Sequence, residues 1–398
     1  MDCVCGDGNF RNCAFDLIYL IAMKKVVVRT RNQAISLFYA HALKPIFFRR
    51  DPEDVHDAMM RVGKVLGRFW VTRKITNTLF SFADPSLEQK ILGITFANPI
   101  GLSAGFDKNA ILTDILPSVG FGFAELGSIT GEPCAGNPKP RLWRLKESKS
   151  LLVYYGLKND GCKKIAARLR GKKFDMPFGI SIAKTNDATT IETEAGVADY
   201  VKAFREFQGI GAYDTINISC PNACGGQPFT DPDRLNALLC AIEKIETTKP
   251  IFLKISPDLS REQIDNIIAV CDRHRSHVQG IICSNLTKKR ENEKILDADV
   301  PATGGMSGKI VADLANEQLR YIFERAGDRY VLIGCGGVSS AEDAYEKIKS
   351  GASLIHMITG MIYEGPQVVS EINRGLVALL RRDGYKNIAE ACGKNLKS

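Results

Sequence analysis

Eight short apolar runs, each followed by a stretch with helical spacing, constrain this chain more than any other feature. They fall near 98–103, 122–128, 178–183, 213–219, 251–255, 280–284, 331–334 and 354–357. Most are separated by 15–30 residues, and segments such as 262–271 and 341–349 carry apolar residues at helical intervals. Eight strand–helix units over about 300 residues predict an α/β fold. The expected form is a closed (β/α)8 TIM barrel rather than an open sheet. The reading divides the chain into an N-terminal extension (1–30), an amphipathic helical segment (31–76) and the barrel (77–398).

The chemically unusual residues cluster after the strands, where barrel enzymes build their sites. Ser103-Ala104-Gly105-Phe106-Asp107-Lys108 follows the first run, and Gly127-Ser128-Ile129-Thr130 follows the second. Lys184 ends the third, and Asn217-Ile218-Ser219-Cys220-Pro221-Asn222 ends the fourth. Lys254, Ser284-Asn285, Gly336-Gly337 and Thr359-Gly360 close the remaining four.

Each group has a chemistry and a plainer alternative. Gly336-Gly337 precedes Ser339 and Glu342, which have capping-box spacing, so a helix start is expected behind a glycine turn. Such a turn lets backbone N–H groups approach an anion closely, and the loops after strands seven and eight are the usual phosphate cradle of barrels. A phosphorylated cofactor such as FMN suits it. Lys254, inside the apolar run Ile251-Phe252-Leu253-Lys254-Ile255, is costly unless its charge meets an anion or snorkels out. In a flavin site it would stabilise negative charge on the reduced ring. Lys108 beside Asp107 is either a salt-bridged surface lysine or a partner for a small carboxylate. Asn217, Asn222 and Asn285 offer donors and acceptors to a planar polar ligand, or simply form turns. Cys220 is a small buried hydrophobe, a nucleophile or a base. No histidine or carboxylate adjoins it in sequence, which favours proton transfer over hydrolysis, and Gly225-Gly226-Gln227-Pro228 gives its loop the freedom of a lid.

Charge is uneven. Residues 24–74 hold twelve Lys/Arg and four acids, a surplus of eight that equals the net charge of the whole chain (53 Lys/Arg against 45 Asp/Glu). Ile35, Phe38, Tyr39, Ala42, Leu43, Ile46, Phe47 and Phe48 have helical spacing in this segment, and so do Val55, Met59, Val62, Leu66 and Phe69. A basic amphipathic helix pair suits an anionic membrane surface, or else caps the barrel with its basic face in water. Nothing like a nucleic-acid recognition module accompanies the charge. No apolar run reaches the length of a spanning helix, and 14–23 is interrupted by Asp16. Residues 1–22 read as a separate extension, with Met23-Lys24-Lys25 as a candidate natural start. The twelve cysteines are scattered without a CxxC pair, so no metal site is expected and the compartment is expected to be reducing.

Taken together the motifs resemble the dihydroorotate dehydrogenases over about residues 45–385. The resemblance rests on Asn98-Pro99-Ile100-Gly101-Leu102, Gly105-Phe106-Asp107-Lys108, Gly120-Phe121-Gly122-Phe123, Gly136-Asn137-Pro138-Lys139-Pro140-Arg141, Thr303-Gly304-Gly305-Met306-Ser307-Gly308 and Gly336-Gly337-Val338-Ser339-Ser340. Asp51-Pro52-Glu53-Asp54-Val55-His56 looks like the N-terminal helices of the quinone-dependent class 2 branch. The resemblance implies FMN in the barrel and oxidation of dihydroorotate to orotate in pyrimidine biosynthesis. A base takes the C5 proton, hydride passes from C6 to flavin N5, and quinone re-oxidises the flavin. It implies peripheral membrane association, on the cytoplasmic face of a bacterial-type inner membrane, by a monomer.

By position, Cys220 is the implied base. Lys108, Tyr155, Gly156, Asn217, Asn222 and Asn285 would hold the substrate. Ala104, Gly105, Ser128, Ser181, Asn217, Lys254, Ser284, Gly308, Gly336, Gly337, Ile358 and Thr359 would hold FMN, with His56 and Arg144 near the quinone path. The chain departs from the class 2 pattern at several of these positions. Cys220 stands where class 2 has serine, a class 1 trait, and Val153 stands for a substrate-binding asparagine. Ser181 replaces asparagine, Leu286 threonine and Ile358 tyrosine. Two other readings stay open at this point: a soluble-type dihydroorotate or other pyrimidine oxidoreductase using fumarate or NAD, and a non-catalytic membrane-associated flavoprotein.

Overall fold

The computed structural model describes residues 26–396; the calls made on residues 1–22 and on Met23 lie outside them. Eight parallel strands close a barrel: β1 (Ile100–Leu102), β2 (Phe123–Ile129), β3 (Phe178–Ile182), β4 (Tyr213–Asn217), β5 (Ile251–Ile255), β6 (Val278–Cys283), β7 (Val331–Cys335) and β8 (Leu354–Met357). They pair in sequence order, and β8 returns to β1. The eight expected runs are these eight strands.

Register then fixes which side chains meet. Asn217 of β4 lies beside Lys254 of β5, and His356 of β8 beside Gly101 of β1. Phe96, Phe123, Tyr213, Phe252, Ile282, Ile333 and Leu354 fill one end of the barrel. Three strand glycines make that filling fit: a Cβ on Gly101, Gly179 or Gly280 would lie 2.4, 2.1 or 2.1 Å from the ring of Phe123, Tyr213 or Phe252. Phe96 reaches this cluster from an antiparallel hairpin, Gln89–Ile91 with Ile94–Phe96, which plugs the same end. The alternation of runs did not reveal this hairpin.

A second sheet was also not anticipated. Leu142–Leu145, Ser150–Val153 and Gly305–Gly308 form three antiparallel strands over the other end of the barrel. The motif 136–141 leads into the first of these strands and the motif 303–308 contains the third.

The N-terminal segment is helical at 26–38 and through Tyr39–Leu43 and Lys44–Phe48. Helix α1 (Pro52–Arg68) follows, capped by Asp51 Oδ1, which accepts Glu53 N (2.8 Å) and Asp54 N (3.1 Å), with Pro52 at the first position. Phe69 is extended and breaks α1 from α2 (Trp70–Phe80). The apolar faces expected here are split. Tyr39 turns inward and donates to Ile362 O (2.6 Å), and Leu66 packs on the core, whereas Phe38, Ile46, Met59, Val62 and Phe69 are exposed. Trp70, Val71, Ile75 and Leu79 of α2 are exposed as well, Trp70 by 68%.

Glu53 binds α1 to the barrel. It is buried, and Arg141 Nη2 (2.8 Å), Lys158 Nζ (3.2 Å) and Lys139 Nζ (3.7 Å) converge on it. Burial alone would push its carboxyl up; hydrogen bonds from Arg141 and Lys158 overcome that and hold it at about 2. Arg141 Nη1 donates as well to the carbonyls of Ala135 and Asn137, so the helix, the second loop and the roof sheet meet at one charge cluster.

Candidate active site

The loops after the strands surround one deep cleft of about 1290 Å³, its open mouth included. Lys108, Lys158 and Lys254 line it, and among the described residues that line it there is no aspartate or glutamate. Such a wall attracts anions.

Strand ends position the polar groups. Asn217 Nδ2 donates to Ser128 Oγ (2.7 Å), which lies 2.7 Å from Ser181 Oγ; Asn217 Oδ1 accepts Ser219 N (3.0 Å) and Oγ (2.6 Å). Asn285 Nδ2 donates to Ser219 Oγ (2.8 Å). One hydrogen-bonded chain therefore runs from β3 past β6 and holds both amides in fixed orientation. Asn222 Nδ2 donates to Val153 O of the roof sheet (2.8 Å), and its buried Oδ1 has no partner among the described residues.

Asp107 is fully buried and accepts Ile111 N (2.9 Å) and Leu112 N (2.8 Å), which shapes the loop that presents Lys108. Lys108 Nζ stands 4.0 Å from the centre of the Tyr155 ring. Burial lowers this ammonium to about 8, against the pull of Asp57. His56 of α1 donates from Nε2 to Phe106 O (3.0 Å) and packs edge-on against the Phe106 ring. Burial, then Lys108, lowers His56 to about 4, so it is neutral above that pH.

Cys220 is half-buried in the cleft wall. Burial raises its thiol above the ordinary range, while the backbone of Asn222 and the charges of Lys184 and Lys288 oppose the rise. Lys184 Nζ donates to Cys224 O (2.8 Å), and Gln227 Nε2 to Ser219 O (2.9 Å), so both ends of the cysteine loop are tied to the barrel. Gly225 and Gly226 have φ of 74° and 71°, the left-handed freedom a mobile tip needs.

Opposite, Gly336 (φ 114°), Gly337 (φ 78°) and Gly308 (φ 80°) bring bare backbone to the wall. A Cβ on Gly337 would meet Ala312 at 2.4 Å, and one on Gly308 would meet Lys149 O at 2.7 Å. Ser307 Oγ and Thr359 Oγ1 lie 2.8 Å apart beside them. The helix behind, Ala341–Lys349, is capped differently from expectation. Its capping box is Ser340 with Asp343, not Ser339 with Glu342, and Asp343 also accepts the N–H of Ser339. The glycine turn, rather than that capped helix end, faces the cleft.

Of the residues singled out from sequence, Lys108, Tyr155, Gly156, Asn217, Cys220, Asn222 and Asn285 line this cleft, as do Ala104, Gly105, Ser128, Lys254, Gly308, Gly336, Gly337, Ile358, Thr359 and His56. Ser181 and Ser284 do not line it: each is fully buried one layer back, against Ser128 and the Cys335 carbonyl respectively. Nor does Arg144, which donates to Arg50 O (2.9 Å) and lies over the Phe48 ring. Phe48 in turn packs with Leu142, Leu151, Val153 and Ile362, and these four form an apolar arm of the cleft. Sequence reasoning placed Ser103 and Cys335 at strand ends without giving them a role, and it passed over His356. A histidine inside the run Leu354-Ile355-His356-Met357 carried the same signal as Lys254 in β5.

The cleft fits a flavin mononucleotide on its own geometry: a cradle of glycines that admit no side chain, a buried lysine at its floor, and an acid-free wall. No group of three or more histidine, cysteine or acidic side chains suits a metal ion among the described residues.

The chain's relatives carry the same architecture. The Dihydroorotate dehydrogenase family profile matches residues 86–380. A dihydroorotate dehydrogenase (quinone) of Gloeobacter violaceus is 37% identical over 355 residues, covering 88% of this chain and 97% of the relative. One from Nostoc punctiforme is 38% identical over 377 residues, covering 90% and 99%. Among solved structures, ligand-free DHODH from Eimeria tenella superposes with a TM-score of 0.75 at 28% identity, covering 87% of this chain and all of that one. The same enzyme in complex with ferulenol gives 0.74 at 28% identity, covering 87% and 96%. With a matched profile over most of its length and near full-length relatives well above 30% identity, the chain belongs to the dihydroorotate dehydrogenase family, in its class 2 branch.

Proposed function

We propose that this protein oxidises dihydroorotate to orotate with bound FMN, uses Cys220 as the base, and passes the electrons to quinone. The observation that carries the reading is the cleft wall: three lysines, three asparagines and two thiols, Cys220 and Cys335, with no carboxylate among the described lining residues. Both ligands it is asked to hold are anions.

FMN, when bound, supplies the hydride acceptor and afterwards releases the electron pair. Gly308, Gly336, Gly337 and Thr359 would hold its phosphate, and Asn217, Ser128 and Lys254 its ring. The other steps belong to side chains of this chain. Lys108 neutralises the substrate carboxylate; at about 8 its ammonium is largely charged at neutral pH. Asn217 and Asn285, oriented by the Ser128–Ser219 chain, and Asn222, held by Val153 O, fix the ring of the substrate through amide donors and acceptors. Cys220 Sγ, as thiolate, takes the C5 proton and becomes the thiol. The roof strands and the Cys220 loop exclude water while that proton moves.

The apolar arm between Leu142, Leu151, Val153 and Ile362, with neutral His56 at one side, suits a quinone ring. The exposed Val62, Val65, Phe69, Trp70, Ile75 and Leu79 lie among Arg61, Lys64, Arg68, Arg73 and Lys74, an arrangement suited to peripheral docking on an anionic bilayer. Among the described residues no helix is long and apolar enough to cross a membrane.

The test compares acceptors. Purified protein should carry flavin absorbance and reduce a short-chain quinone analogue with dihydroorotate, while fumarate and NAD give little turnover. Turnover with fumarate or NAD in preference to quinone would refute the acceptor assignment.

A further inference from the structure

A second cavity stands beside the cleft, between helix α1 and the loop that follows β1. It encloses about 630 Å³, its open side included. Asp57, Met60 and Arg61 of α1 line it, with Asn109 and Ile111 of the loop. His56, Phe106, Lys108, Tyr155 and Lys158 line both this vestibule and the cleft, so they form the partition between the two.

The partition offers polar groups to the vestibule. His56 Nδ1 lies 3.4 Å from Asp57 Oδ1, although Nε2 is tied to Phe106 O. Burial lowers the Lys108 ammonium and Asp57 opposes that, so a carboxylate on the vestibule wall already acts on Lys108. Tyr155 is buried, and its hydroxyl has no hydrogen-bond partner among the described residues. Burial first, then Glu53 and Asp57 of α1, raise its phenol, so the hydroxyl keeps its proton and lies toward the helix. A buried donor left over in this way calls for a partner that comes and goes.

The two ways into the cleft differ in chemistry. The arm between Leu142, Leu151, Val153 and Ile362 is apolar, and a carboxylate entering it would shed its water without a partner. The vestibule sets Arg61, Lys108 and Lys158 against one lining acid, Asp57, with Lys158 shared by Glu53 behind it (3.2 Å). At 3.6 residues per turn, Asp57 and Met60 face the opposite way from the exposed Met59 and Val62 of the same helix. The vestibule thus turns away from the apolar face of α1.

We infer that the vestibule is the port through which dihydroorotate enters and orotate leaves, separate from the apolar arm that takes quinone. This rests on the function proposed above. Arg61 draws the carboxylate to the open side, the Tyr155 hydroxyl offers it an unused donor, and Lys108 receives it at the cleft.

Stopped-flow mixing of the FMN-loaded protein with orotate, followed by flavin absorbance, separates association from dissociation. Asn109→Asp adds a charge yet keeps the oxygen that accepts Asp160 N (2.9 Å). At low salt Asp57→Asn should speed association and Asn109→Asp should slow it, each by about threefold, the scale of one charge several ångströms away in water, and high salt should abolish both differences. Asp57→Trp removes the same charge as Asp57→Asn but fills the port. Relative to Asp57→Asn it should slow association and dissociation alike, by about tenfold, with Kd unchanged, because access is altered and the bound state is not. Equal rates in those two variants overturn the inference. The KM for a short-chain quinone analogue should stay at the wild-type value in Asn109→Asp; a shift as large as that in orotate association would put both ligands on one route and overturn it as well. A wild type that binds orotate but is not reduced by dihydroorotate would refute the proposed function and leave these rates readable, whereas one that binds no orotate overturns both.

Discussion

The barrel and the N-terminal helices use the same residue types in opposite ways. Inside the barrel, apolar residues are buried and buried charges are paired, Lys249 with Asp214 (2.7 Å) and Lys254 with Glu125 (3.8 Å). In α1 and α2 the large apolar side chains Val62, Val65, Phe69, Trp70, Ile75 and Leu79 stay exposed, and α1 buries an acid, Glu53, beside Met60 and Gly67. The barrel thus completes itself. The helices are held by the Glu53 charge cluster and by Met60 and Leu66 on the core, and they leave an apolar face exposed, the kind of patch that marks an interaction surface.

The comparison can be broken at either end. The largest effect belongs to the barrel mouth: Cys220→Ala should lower turnover by about 10²–10⁴-fold, the usual scale of a lost general base, while FMN content measured by absorbance stays unchanged. Undiminished turnover would remove Cys220 from the mechanism.

Next comes the cluster joining the two regions. Glu53→Gln leaves Arg141 buried without its anion and should cost about 3–5 kcal/mol in denaturant unfolding. The double variant Glu53→Gln/Arg141→Gln should recover part of that loss. The wild-type pH dependence has a fixed sign. Glu53 sits at about 2 in the folded protein against an ordinary 4.5, so its contribution is full above about 4.5 and is lost as pH falls toward 2. Destabilisation that grew with rising pH in this range would contradict the cluster.

The exposed face should give a smaller effect. Phe69→Ser/Trp70→Ser removes two side chains exposed by 53% and 68%. Sedimentation with anionic vesicles should weaken by roughly 100-fold, about 3 kcal/mol for two large apolar groups, with the unfolding midpoint unchanged. Unaltered vesicle binding would show that the face has another partner. The smallest effect is a displacement: Cys220→Ser should move the pH optimum of the residual activity upward, because a serine hydroxyl holds its proton far more tightly than a thiol.

How much was legible in the sequence follows the same division. The barrel strands were readable because a strand buried on both sides must be a continuous apolar run, as 251–255 is, and the lysine that interrupts it stands out. The roof sheet was not, because strands of only four residues are too short to show a period. The apolar periodicity of α1 was real, yet periodicity does not say what covers a face, and Met59, Val62 and Phe69 point away from the barrel. The capping box slipped by one residue because Ser339 and Ser340 both precede an acid by three; the extended backbone of Ser340 (φ −140°, ψ 170°) decides it. The residues around the cysteine were visible as a motif, but only packing shows Asn217 locked by Ser128 and Ser219.

The central claim, a thiolate base acting beside a flavin, is tested most directly by one anaerobic half-reaction. Dihydroorotate mixed with the wild type in the absence of any acceptor should bleach the flavin absorbance in a single exponential that quickens with rising pH, as the raised Cys220 thiol ionises; Cys220→Ala should stay yellow over the same time. A wild type that does not bleach, or a Cys220→Ala variant that bleaches as fast, would contradict the account.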